Sequence, residues 1–282
     1  MASSAPSAAA GATPPDPLRR DRILSSKLYL DVPGSKAPVV YSPAYDIAFL
    51  GIEKLHPFDS SKWGRICKFL TKEGHLEKNR VVEPLEATKD DLLVVHSESY
   101  LNSLKSSLKV ASIVELPPVA FIPNWLVQQK LLYPFRKQVM PCGYYDANFL
   151  LQEEFTLWIC TMLEYIPMGH TFAFYQSGTK TEDYLDQLDK ALKVAESRFQ
   201  PQLIVYNAGT DILDGDPLGR LKISPQGVVI RDEKVFRFAK DQSIPLLMLT
   251  SGGYMKSSAR VIADSIINLS NKNLIELGSQ LG

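Results

Sequence analysis

The C-terminal third of the chain alternates helical and strand patterns in an order that leaves few folds open. Tyr184, Leu185, Leu188, Leu192, Ala195 and Phe199 recur at helical spacing behind Thr179-Lys-Thr-Glu182, a hydroxyl with a glutamate three residues on, which fits a capping box. Pro201 ends that helix. Leu203-Ile-Val-Tyr206 follows as a continuous apolar strand of the type buried in parallel sheets. Beyond a turn-rich stretch, Asn207 to Pro217, a second helix spans roughly Arg231 to Lys240 and a second buried strand runs from Pro245 through Leu249. A last helix covers roughly Ser257 to Leu269. Helix, strand, loop, helix, strand, loop, helix implies parallel strands joined by crossover helices.

The N-terminal half carries weaker patterns. Ala37 to Tyr41 suits a short strand ending at the turn Ser42-Pro43. Trp63, Ile66, Phe69 and Leu70 mark a helix over 60–70, with Gly74 as its stop, and Tyr100, Leu101 and Leu104 continue another helical stripe. Residues 1–21 are rich in Ser, Ala and Pro and read as a disordered leader; with few acids and the arginines at 19 and 20 they also fit an organelle transit peptide.

Charge and cysteine content narrow the function. The chain has 31 basic and 31 acidic side chains, so no net field draws it to nucleic acid or to an anionic membrane. No uninterrupted apolar run is long enough to span a bilayer. Three cysteines (Cys67, Cys142 and Cys160) have no CxxC spacing, which argues for a reducing compartment and against a disulfide scaffold or a zinc knuckle. A P-loop, a GxGxxG fingerprint and a GxSxG elbow are all missing.

In open α/β sheets ligands sit in the loops that leave the carboxyl ends of the strands. One such loop carries Asp211, Asp214 and Asp216; the other is Ser251-Gly252-Gly253-Tyr254. Carboxylates there bind a metal or orient a base, although Asp and Gly also make ordinary turns. The paired glycines allow a backbone to approach a ligand closely, or simply to turn.

Taken together, YNAGTDILDGDPLG (206–219) and LTSGGY (249–254) resemble the zinc-dependent histone deacetylases. The stretches YSPAYDIAFLGIEKLHPFDSSKWG (41–64), VHSESYL (95–101) and LLYPFRKQV (131–139) look like the class IV branch of that family. The resemblance implies a three-layer, mostly parallel α/β sheet with helices on both faces, of the arginase and deacetylase type. It implies Zn2+ at the foot of an acyl-lysine tunnel, with Asp211 as a metal ligand and Tyr254 as the catalytic phenol that supports the oxyanion. Gly252 and Gly253 fall in the tunnel loop. Acyl-lysine proteins such as histones are the implied substrates, with deacetylase-complex subunits as partners, chromatin regulation and transcription repression as the role, and nucleus and cytoplasm as the location.

The resemblance is interrupted. It covers 22–139 and 177–282, which divides the chain into the leader, two parts of a deacetylase domain and a non-family segment, 140–176. The family's Asp-x-His and its adjacent histidines have no counterpart: His56, His75, His96 and His170 are isolated. His56 and His96 suit capping or core roles, His75 suits a solvated position, and His170 has no aspartate two residues before it. Back-translated in a shifted frame, Phe155 to Ile166 resembles family sequence, which points to an exon-skipped, frame-shifted segment. The expectations are a catalytically impaired family member with central strands missing or replaced, or a non-catalytic or unstable splice isoform acting through partner binding.

Overall fold

Both apolar runs become neighbouring parallel strands. The structure, a computed structural model, describes residues 17–28, 32–49, 51–138, 157–161, 176–198 and 200–278. In chain order its helices are α1 (Pro17–Ser25), α2 (Lys62–Lys72), α3 (Lys89–Leu92), α4 (Glu98–Ser103), α5 (Ser107–Ile113) and α6 (Asn124–Val127), the last running through a π turn into α7 (Tyr133–Gln138). There follow β1 (Leu157–Thr161), α8 (Thr181–Arg198), β2 (Leu203–Asn207), α9 (Pro225–Asp241), β3 (Leu246–Leu249) and α10 (Ser258–Asn271). The sheet has the order β1-β2-β3 and is parallel throughout, with Leu157 opposite Leu203 and Ile204 opposite Leu246.

The register decides which side chains form the core. Ile204, Tyr206 and Ala208 share a face with Leu246 and Met248, and that face packs on Leu188 and Leu192 of α8 and on Val235 and Ala239 of α9. Fully burying such a leucine or valine stabilises by about 1.5–3 kcal/mol. On the opposite face Val205 and Asn207, with Leu247 and Leu249, are only half-buried. A second cluster joins Ile66, Cys67 and Leu70 of α2 to Ala259, Ile262 and Ile266 of α10, which ties the N-terminal half to the sheet domain. Arg260 bridges the same two helices through Glu73, a partly exposed pair worth under about 1 kcal/mol.

Several local expectations change. Ala37 to Tyr41 forms a single parallel bridge, Val40 with Val82, in place of a strand. The Ala37 and Tyr41 amides donate to the Arg80 and Val82 carbonyls, and Pro43, next on the same side, has no N–H with which to lengthen the pairing. Thr179 is not the cap of α8, because its hydroxyl donates to the Gln176 carbonyl; Thr181 opens the helix and accepts from the Ser224 amide. Helix α9 begins six residues earlier than Arg231, at Pro225, where Ser224 caps the Gly227 amide and proline occupies the first turn. Residues 17–21, at the end of the stretch read as a leader, are helical in α1. Within 140–176, residues 157–161 supply β1, and His170 lies outside the described residues.

Candidate functional site

The loops after β2 and β3 meet, as strand order requires, and are sewn together by backbone. The Ala208 amide donates to the Leu249 carbonyl at 2.7 Å and the Thr210 amide to the Gly252 carbonyl at 3.1 Å. Glycine is needed at this junction for space. A Cβ on Gly209 would stand 2.6 Å from Asp211 Oδ1, one on Gly252 would collide with the same carboxylate, and one on Gly253, at φ +111°, with Thr210 Oγ1. The backbone of Gly252 thus lies close against the Asp211 carboxylate and that of Gly253 against Thr210 and Ser258.

Asp211 and Tyr254, expected as metal ligand and phenol, come together here. Burial raises the Asp211 carboxyl above the usual carboxylate range, and the negative charge of Asp216 adds to this. The Tyr254 phenol is raised first by burial and then by the charges of Asp211 and Asp216. Tyr254 thus keeps its proton at neutral pH and remains a donor.

Asp216 has a different task. Its Oδ1 accepts from the amides of Leu218 and Gly219, both at 3.0 Å, and its Oδ2 accepts from the Tyr254 amide at 2.8 Å. It is the clamp that sets Tyr254 against the first loop, which is the turn chemistry its glycine and proline neighbours suggest. Asp216→Ala strands three amide donors in a residue environment only 6% exposed. The expected cost is about 2–3 kcal/mol, read as a lower urea midpoint at unchanged slope, with a smaller loss for Asp216→Asn. Asp214, by contrast, is exposed.

Sequence reasoning missed Lys62. From the first turn of α2 its ammonium donates to the carbonyls of Ser251 at 2.5 Å, Gly252 at 2.9 Å and Gly253 at 3.2 Å. The residue is 3% exposed. Burial pushes its pKa down to about 8 although Asp211 and Asp216 pull the other way. A lysine at a helix start usually reads as solvated, so nothing in the local sequence marks it.

A second buried charge supports the first loop. Arg231 and Asp232 of α9 are both fully buried and paired at 2.8 Å. Arg231 also donates to the Gly209 carbonyl at 2.6 Å and to that of Ala208 at 3.3 Å. Asp232 accepts from the hydroxyls of Tyr206 and Ser265. The signal was present in the spacing of Val228, Val235 and Ala239, which places Arg231 and Asp232 on the apolar stripe once the helix start is moved back to Pro225.

The three described histidines make no contact with this site. His56 ends a 3-10 turn, Ile52–Leu55, and its Nδ1 accepts from the Phe58 amide at 3.0 Å, a capping role as expected. His96 is exposed, with its ring against Tyr100, and has no core role. His75 is half-buried just past the end of α2, less solvated than expected, because its amide bonds back to the Leu70 carbonyl.

The donor set does not fit zinc. A catalytic zinc takes three protein ligands, and among the described residues no group of three or more His, Cys, Asp or Glu side chains could hold a metal. Asp216 spends both oxygens on backbone amides. The cations that act on Asp211 are the Arg231 guanidinium and the Lys62 ammonium.

Comparisons with known proteins agree on the ancestry. Crystal structures of an HDAC homolog, one from Aquifex aeolicus and one complexed with SAHA, match with a TM-score of 0.52 at 16% identity over 84% of each chain, so the α/β fold is theirs. A profile of the histone deacetylase domain matches residues 167–269. The protein named histone deacetylase 2 of Arabidopsis thaliana is 51% identical over 337 residues, covering 94% of this chain and 87% of the relative. Histone deacetylase 8 of Xenopus tropicalis is 30% identical over 79 residues, 28% of this chain and 20% of its own. The chain belongs to the histone deacetylase family. Because the 337-residue alignment is longer than this 282-residue chain, the Arabidopsis relative carries dozens of residues that have no counterpart here.

Proposed function

We propose that this chain is a class IV-type member of the protein lysine deacetylase family that retains the phenol and one carboxylate of the site and lacks the metal-and-imidazole part. Acyl-lysine side chains of proteins such as histones are its substrate class, in the nucleus and cytoplasm, and deacetylase-complex subunits are its partners. The observation that carries the reading is what surrounds Asp211: glycine backbone, a clamped Asp216 and two buried cations, Arg231 and Lys62. Zinc supplies Lewis acidity to the acyl carbonyl in this family, and no chemistry through zinc follows from these side chains.

Tyr254, protonated at neutral pH, is placed to donate to a carbonyl oxygen brought beside Asp211. Without a base to activate water, that donation orients an acyl group and does not cleave it. The test measures zinc per chain and hydrolysis of an acetyl-lysine peptide, for this chain and for a version with the Arabidopsis relative's additional residues restored. The expected result is substoichiometric zinc and no hydrolysis in this chain, with both gained on restoration. One zinc per chain and equal turnover in both would overturn the proposal.

A further inference from the structure

The edge of β3 that faces away from β2 is unoccupied among the described residues. In the parallel ladder, the carbonyls of Pro245 and Leu249 accept from the amides of Ile204 and Ala208, so residues 245, 247 and 249 turn their backbone groups toward β2. Leu246, Met248 and Thr250 therefore turn theirs outward, at the two-residue spacing that a further strand requires. Beside that edge lies a cavity of about 540 Å³. Met248, Leu249 and Thr250 form one wall, and Val40, Trp63 and Leu131 of the N-terminal half stand among the others. The Thr250 hydroxyl is buried and without a hydrogen-bond partner.

We propose that this cavity is a seat for an extended apolar strand of another polypeptide, added to the sheet beside β3. Three observations select a strand over a compact ligand. The unpaired groups are backbone donors and acceptors in a row, which a small apolar molecule cannot satisfy. Just past the end of β3 the buried Thr250 hydroxyl, which also lines the cavity, adds one more polar group without a partner. The Arabidopsis relative holds dozens of residues that this chain lacks, so a three-stranded sheet flanked by an apolar gap is what the chain retains. Strand addition draws affinity from main-chain bonds and selectivity from alternate side chains, here apolar ones that enter between Trp63 and Leu131. The inference stands whether or not the catalytic reading does.

The test titrates the full-length chain into a fluorescently labelled, end-blocked peptide, Lys-Val-Ile-Val-Thr-Lys, with anisotropy as the readout. A second peptide of the same sequence carries N-methyl groups on alternate amides, which keeps its side chains and deletes its edge bonds. Saturable binding is expected, weakened at least about tenfold by N-methylation, which deletes the peptide's edge bonds and leaves the chain's own core untouched. Equal binding of both peptides would show a non-specific apolar ligand and overturn the proposal. So would the absence of saturation.

Discussion

Asp232→Ala is expected to destabilise the chain by about 3–5 kcal/mol, a large part of the roughly 5–15 kcal/mol that holds a typical domain together. The substitution leaves the Arg231 guanidinium fully buried without its counter-charge and strands the hydroxyls of Tyr206 and Ser265. Arg231→Met should cost a similar amount, because the Gly209 and Ala208 carbonyls lose their donor and the Asp232 carboxylate its cation. The paired replacement by Met and Leu should cost far less than the sum, since two hydrophobes of comparable volume leave no buried charge. Urea denaturation of the four proteins at neutral pH checks this. Single losses under about 1 kcal/mol, or strict additivity, would show that the pair is not coupled. Hydrogen exchange offers a local readout: the Ala208 and Thr210 amides, which sew the two site loops together, should lose protection in the singles before the sheet does.

That network shows where a sequence is legible and where it is not. Leu203 to Tyr206 and Pro245 to Leu249 were readable because a continuous apolar run between turn signals has few alternatives to a buried parallel strand. Helices α8 and α10 were readable from their stripes. Asp211 and Tyr254 were found through a family motif, and the topology explains their meeting, since adjacent parallel strands release their loops at the same end of the sheet. What failed to register was the charge inside. Arg231 and Asp232 carry charges that a core seldom holds, and the later start given to α9 left Val228, which marks the stripe on their N-terminal side, outside the helix. The Ala37–Tyr41 strand stops at one bridge for a different reason, because Pro43, the next residue on the side that faces Val82, has no N–H to extend the ladder. Lys62 gave no local signal at all, as its partners are backbone carbonyls nearly 190 positions away along the chain.

Lys62 is expected to make this chain more stable as the pH rises from 8 to 10.5. Burial lowers its folded pKa to about 8, whereas in the unfolded chain it keeps its proton up to 10.5. Between those values the unfolded state binds more protons, so stability climbs with pH through the window. Below pH 8 both states are protonated and the full cost of burying the charge is carried; above 10.5 both are neutral and the cost is gone. A separation of about 2.5 pH units corresponds to about 3 kcal/mol. Lys62→Met has no such titration, so the difference between its urea stability and that of the parent chain, measured at pH 7.5 and again at pH 10.5, should change by that amount in favour of the parent. Asp211 and Asp216, the carboxylates that act on this position, are present in both proteins, and the subtraction removes most of their own contribution. Parallel pH profiles would mean that the ammonium is not buried as described. The cost is intelligible at this position: three carbonyls of the Ser251–Gly253 loop converge on Lys62 Nζ, the charges of Asp211 and Asp216 act on it, and the described residues hold no metal-binding set. A protonated lysine is the charge that holds that loop over Asp211, and the carboxylate keeps its place because the cation is paid for elsewhere in the core.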